Sequence, residues 1–232
     1  YISPLHIDPE RPAMPISHPV TYSTYLAKLL GPFATLGLAE DSWALNEGVL
    51  DERAYLDQVY HYHREREQQF FHALKKNRRG LCACVFDATD RIQHTFFHYL
   101  DEDHPRHKDG EERSKNAIRD VYHKADEVVG RVVQTMQKGT LLLVMSDHGF
   151  KSFRRGVNIN TWLRQNGYLV LKTNSERDDY LQNVDWSKTK AYAIGLAGIY
   201  INRAGRERQG IVAESDVAAL KKKLIAELSG LV

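Results

Sequence analysis

The sequence predicts an α/β protein with a mostly parallel sheet flanked by helices. Three observations predict it. Two short, continuous apolar runs, Leu81 to Phe86 and Thr140 to Met145, read as strands buried on both faces. Two long amphipathic stretches, 51–76 and 114–138, repeat their apolar residues at three and four, the helical spacing. From Leu81 to Met145 the order is then strand, helix, helix, strand, the grammar of a parallel sheet with crossover helices.

The elements follow in chain order. Pro4, Pro9, Pro12, Pro15 and Pro19 keep the first 20 residues out of helix and predict an extended segment. Tyr22 to Leu30 fits a short helix. In 51–76, Leu56, Val59, Tyr60, His63, Phe70, Phe71 and Leu74 form one stripe, and Gly80 suits a helix C-terminal cap. Leu81 to Phe86 is the first predicted strand, Asp90 to Leu100 a helix, and Asp101 to Gly110 a polar loop. In 114–138 the inner face is Ile118, Val121, Tyr122, Ala125, Val128, Val129, Val132, Val133 and Met136, with Gly139 as its cap. After the second strand, Asn160 fits the cap of a short helix closed by Gly167. Tyr168 to Leu171, Ala191 to Ile194 and Ile199 to Asn202 read as brief β segments. Glu214 to Leu228 reads as a final amphipathic helix.

Composition narrows the function. The 232 residues carry a formal net charge of only +2, with 27% charged and 42% hydrophobic residues. That suits an ordinary globular protein and excludes a strongly basic binder of nucleic-acid polymers. No apolar run reaches the roughly 18 residues of a membrane span. The first residues have neither a basic nor an apolar leader region. Cys82 and Cys84 lie two apart in one predicted strand and would share a face, which predicts two buried free thiols, a reducing compartment and a cytoplasmic location.

Candidate chemistry collects where the two predicted strands end, the place where open α/β sheets bind ligands. After the first come Asp90 and His94, four apart, one turn apart on one helical face. A carboxylate and an imidazole so placed can grip one divalent ion, although such a pair is also common on a solvated face. After the second come Asp147 and His148, which share an ion only if the chain turns there, as Gly149 permits. Arg154 and Arg155 suit either a phosphate contact or an exposed loop. His61, His63 and His98 read as ordinary helix positions, and His104 and His107 as solvated loop residues.

The stretches Phe86 to His94 and Met145 to Phe150 resemble two metal motifs of the type I phosphodiesterase/nucleotide pyrophosphatase family, within the alkaline phosphatase superfamily. The stretches 12–19, 36–46, 156–163, 167–169, 185–192 and 198–202 are similar to its bacterial members. The resemblance implies an alkaline phosphatase-like fold and a hydrolase of phosphodiester or nucleotide pyrophosphate bonds. It implies two divalent metal ions, Zn²⁺ or alternatively Mn²⁺, with Asp90 and His94 on one and Asp147 and His148 on the other. A Ser or Thr hydroxyl would attack phosphorus and water would release the product, the metals stabilising the attacking and leaving oxygens. The partner would be a small phosphorylated substrate.

The pattern is incomplete here. No strand ending in Asp with a nearby Ser or Thr precedes Asp87, and no His follows His148. The expectation is an interior fragment, inactive alone, that needs the rest of its own polypeptide, including an upstream nucleophile. Residues 1–50 would be an extended cap- or insertion-like segment and 51–232 a partial α/β domain. The alternatives are a phosphomonoesterase, phosphotransferase or sulfatase of the same superfamily, or a degenerate binding protein without catalysis.

Overall fold

The computed structural model describes residues 2–107, 110–172, 181–195 and 198–230. The chain divides into two compact units, Tyr1–Arg154 and Arg155–Val232.

The first unit is helical: α1 (Tyr22–Leu30), α2 (Ser42–Asn46), α3 (Glu52–Lys76), α4 (Ala88–Phe96) running into a 3₁₀ turn (Phe97–Tyr99), and α5 (Glu112–Thr135). Capping fixes where two of them start. The Asp41 carboxylate accepts from the Ala44 amide at 2.9 Å and that of Asp51 from the Ala54 amide at 2.7 Å, each satisfying a donor the first helical turn leaves unpaired. The core is the meeting of three stripes: Tyr55, Leu56 and Val59 of α3, Ala88, Ile92 and Phe96 of α4, and Ala117, Ile118 and Val121 of α5. On α5 the buried face is narrower than its sequence suggests, since Tyr122 and Val133 are exposed.

The parallel sheet is not observed. Leu81 to Phe86 and Thr140 to Met145 are extended but belong to no ladder among the described residues, where the only sheet is a two-stranded antiparallel one in the other unit. Leu81 is 86% exposed, Leu141 78% and Met145 83%. A central strand needs a neighbour to take up its N–H and C=O groups, and an apolar run states the preference without supplying that neighbour. Strand-like alternation persists: Cys82, Cys84 and Phe86 are half-buried while Leu81, Ala83 and Val85 face out. The two thiols are therefore free, as expected, but half-buried. Gly80 and Gly139 sit several residues past the ends of α3 and α5, and their positive φ values, 97° and 88°, turn the chain into these runs instead of capping the helices.

The second unit holds α6 (Ile159–Gln165), the antiparallel pair β1 (Ala191–Ile194) and β2 (Gly198–Ile201), and α7 (Glu214–Leu228). Leu163, Tyr168, Leu169, Val184, Ala191, Ile201, Val212, Val217 and Leu224 form its core. The cap of α6 is Asn158, whose side chain accepts from the Thr161 amide at 3.0 Å. Asn160 instead grips the edge of β1, donating to the Ala193 carbonyl at 2.9 Å and accepting from its amide at 2.7 Å, in the manner of a neighbouring strand. Tyr168 to Leu171 is no strand; it makes one isolated bridge, Leu171 to Val184. Asn202, fully buried, donates its side-chain amide to the carbonyls of Trp186, Thr189 and Gln209 and ties the turns around the pair.

Candidate metal centre

Asp90 and His94 stand on α4, whose other face is buried through Ile92 and Phe96. The helix delivers the expected geometry: Asp90 Oδ1 and His94 Nε2 lie 3.3 Å apart. Asp147 and His148 stand on the exposed stretch after the second apolar run. His148 reaches across to the helix, with Nε2 3.7 Å from Asp90 Oδ1 and 3.6 Å from Asp147 Oδ2. The two motifs, more than fifty residues apart in sequence, thus meet at one carboxylate. Gly149 contributes no left-handed turn. The turn is local: the Asp147 carboxylate accepts from the His148 amide at 3.1 Å.

Phe150 seats the second stretch. Its ring meets that of His94 edge-on at 4.9 Å between centroids and stacks on Phe97 at 6.3 Å. His148 Nδ1 lies 3.1 Å from the Gly149 carbonyl, an acceptor, so in this arrangement Nδ1 donates to it and Nε2 is the nitrogen turned toward Asp90 and Asp147.

Charged neighbours extend the site. Arg91 donates to Asp90 Oδ2 at 3.1 Å, and its Nε lies 3.7 Å from Glu40. Burial pushes the Glu40 carboxyl above the usual carboxylate range, against the pull of its backbone hydrogen bond and of Arg91. Arg66 donates to both the Val85 carbonyl, at 3.0 Å, and Asp87, at 2.8 Å, and so pins the entry to α4. Beside His94 opens a cavity of about 1080 Å³, lined among others by Arg53, Tyr55, Tyr99 and Arg106.

A family model described as type I phosphodiesterase / nucleotide pyrophosphatase matches residues 19–232. The chain belongs to this family. No curated protein and no solved structure matches it. As a member of the type I phosphodiesterase/nucleotide pyrophosphatase family it falls among hydrolases whose substrates are phosphorylated, and an alkaline phosphatase-like fold is implied. The described residues are mostly helical with one small antiparallel sheet. None of the described helices is long and apolar enough to cross a membrane.

Family members are typically metal-dependent. Among the described residues no three His, Cys, Asp or Glu side chains are gathered closely enough to hold an ion together; the contacts above are pairwise. The donor chemistry nevertheless fits, with two carboxylates and two imidazoles, the hard and borderline ligands that zinc and manganese accept. The pair separations fit as well. Two ligands each about 2.1 Å from a shared tetrahedral ion lie roughly 3.4 Å from one another.

Other expectations are settled by contacts. Arg154 is committed to Asp101, with donor distances of 2.8 and 2.6 Å, and so does not wait for a phosphate, whereas Arg155 is exposed. His104 is not simply solvated, because its Nε2 lies 2.8 Å from the Phe153 carbonyl. His98 is half-buried, with Nδ1 3.1 Å from the Thr95 carbonyl. Burial pushes the Cys84 thiol up to about 11 and raises Cys82 also, which disfavours both as thiolate ligands or nucleophiles. Sequence reasoning missed Glu40, Arg91, Asp101 and His104. Glu40 lay in a stretch that resembles the family and Arg91 beside a candidate ligand, but nothing local signals their contacts.

Proposed function

We propose that the protein is a metal-dependent hydrolase of phosphodiester or nucleotide pyrophosphate bonds, with Asp90, His94, Asp147 and His148 as its metal ligands. The observation that carries this reading is the meeting of both motifs at Asp90 Oδ1, within 3.3 Å of His94 and 3.7 Å of His148. Bound divalent ions would supply Lewis-acid stabilisation of charge on the phosphoryl oxygens. The chain's own residues orient the ligands. Phe150 excludes water from one side of His94 and His148, to whose rings it packs at 4.9 and 5.3 Å. Arg91 holds Asp90 by its second oxygen, leaving Oδ1 free to face the two imidazoles. The cavity beside His94 offers room for the group esterified to phosphate.

The test begins with metal content. The intact polypeptide, with the segment that supplies the nucleophile, is expected to bind Zn²⁺ or Mn²⁺, and Asp147→Asn to weaken that binding and lower hydrolysis of bis-(p-nitrophenyl) phosphate. Absence of any bound divalent metal, with hydrolysis untouched by Asp147→Asn, defeats the proposal. Preference for p-nitrophenyl phosphate or p-nitrophenyl sulfate over the diester would move the protein to the monoesterase or sulfatase reading.

A further inference from the structure

The stretch bearing Asp147 and His148 has little to hold it. Among the described residues no backbone–backbone hydrogen bond is made from Leu141 through Val157, and every residue from Leu143 to Gly149 is exposed. Yet His148 is placed over α4. The anchor lies just downstream, at Asp101. Its Oδ2 accepts from Arg154 Nε at 2.8 Å and its Oδ1 from Arg154 Nη2 at 2.6 Å, the bidentate fork of a guanidinium on a carboxylate. Ser152 Oγ also donates to Oδ2. The neighbouring contact between His104 Nε2 and the Phe153 carbonyl adds a second tie. The Asp101 side chain is only 13% exposed, although its partner Arg154 is 48% exposed.

Asp101 is well placed to transmit position. It follows Leu100, the residue closing the 3₁₀ turn that continues α4, and α4 carries Asp90 and His94. One continuous stretch of chain therefore presents the first pair of candidate ligands and grips the loop that carries the second. We propose that Asp101 is a positioning residue: by holding Ser152 and Arg154 it fixes the 146–150 loop so that His148 meets Asp90. This rests on the metal-hydrolase reading for its consequence but not for its geometry. The fork with Arg154, and then the Ser152 hydroxyl, hold the Asp101 carboxyl down to about 2, so the clamp stays charged across the neutral range.

Two measurements test it, Co²⁺ titration followed by its visible absorption and the rate of tryptic cleavage after Lys151. Asp101→Asn is expected to weaken Co²⁺ binding by about tenfold, the low end of the effect of removing a group that orients ligands, and to speed cleavage after Lys151, with unchanged far-ultraviolet dichroism. Arg154→Lys, which keeps the charge but not the fork, is expected to lie between. The exchanged pair Asp101→Arg with Arg154→Asp is expected to recover both readouts, which a merely structural loss would not. Equal Co²⁺ affinity in Asp101→Asn and the wild type, or no recovery in the exchanged pair, overturns the proposal. If the wild type takes up no Co²⁺, the metal-hydrolase reading fails by itself. Cleavage after Lys151 then decides the clamp, an unchanged rate in Asp101→Asn overturning it.

Discussion

Asp90 and His94 stand on a helix that sends Ala88, Ile92 and Phe96 into the core of the first unit, whereas Asp147 and His148 stand on a loop exposed from Leu143 to Gly149. The first pair is preorganised: its spacing is set by helical geometry and its orientation by packing. Among the described residues the second pair is held chiefly at its downstream end, by Phe150, by the grip of Asp101 on Ser152 and Arg154, and by His104 on the Phe153 carbonyl. The difference teaches where a metal site of this kind spends conformational entropy. On the proposed reading, ordering on metal binding should fall on the loop, since the helix is already in place.

The largest effect should come from undermining the helix. Ile92 is completely buried between the candidate ligands of α4. Ile92→Ala is expected to destabilise the first unit by about 2–5 kcal/mol, the range for emptying a well-packed aliphatic site, read as a lower urea midpoint. Metal affinity should fall with it at temperatures where the variant begins to unfold. A loss under about 1 kcal/mol would mean that α4 is not the rigid partner of the pair.

A second prediction concerns how the first stretch is held. The His63 ring on α3 packs against Phe86 at 5.5 Å, is 7% exposed, and neither ring nitrogen has a hydrogen-bond partner among the described residues. Burial, and then the cations Lys124, Arg66 and Arg64, hold its pKa below the ordinary 6.5. Above 6.5 the imidazole is neutral whether the chain is folded or not, and its contribution is constant. Below 6.5 the unfolded chain takes up a proton that the folded one resists, so stability falls with falling pH until the folded pKa is reached. The slope in that window approaches at most about 1.4 kcal/mol per pH unit, the value for one proton. Urea denaturation at several pH values should show His63→Phe flattening this fall. Parallel curves for the two proteins would show that His63 is hydrated and does not brace Phe86.

The contrast between the two stretches also marks what the sequence disclosed. The helices α3, α5 and α7 and the pair β1–β2 were legible because their signals are local: helical periodicity and short β-rich runs around glycine. The candidate site was legible as two motifs at the ends of two predicted strands, but that His148 comes to Asp90 was not signalled by either motif. What failed was the pair of apolar runs. Cys82, Cys84 and Phe86 alternate with Leu81, Ala83 and Val85 as a strand would, but a buried strand is a relation between two segments, and one run's composition does not say which segment covers it. The Asp101–Arg154 fork was hidden for a related reason. Its partners are separated by 53 positions, and a lone Asp in a polar loop has the same appearance whether or not an arginine finds it.

The smallest effect is expected where the sequence pointed to the deepest burial. Leu143 is the centre of the second apolar run, yet it is 69% exposed. Leu143→Ser should change stability by less than about 0.5 kcal/mol, as for other exposed positions away from caps and networks. Measured beside Ile92→Ala in the same urea experiment, it compares the two candidate-ligand stretches directly. A loss for Leu143→Ser approaching that for Ile92→Ala would mean that the second run is covered in solution. His148 would then be carried by a packed strand, as the apolar pattern predicts, and the Asp101 clamp would be a secondary tether. A negligible loss leaves the downstream grip on Ser152 and Arg154 as what places His148.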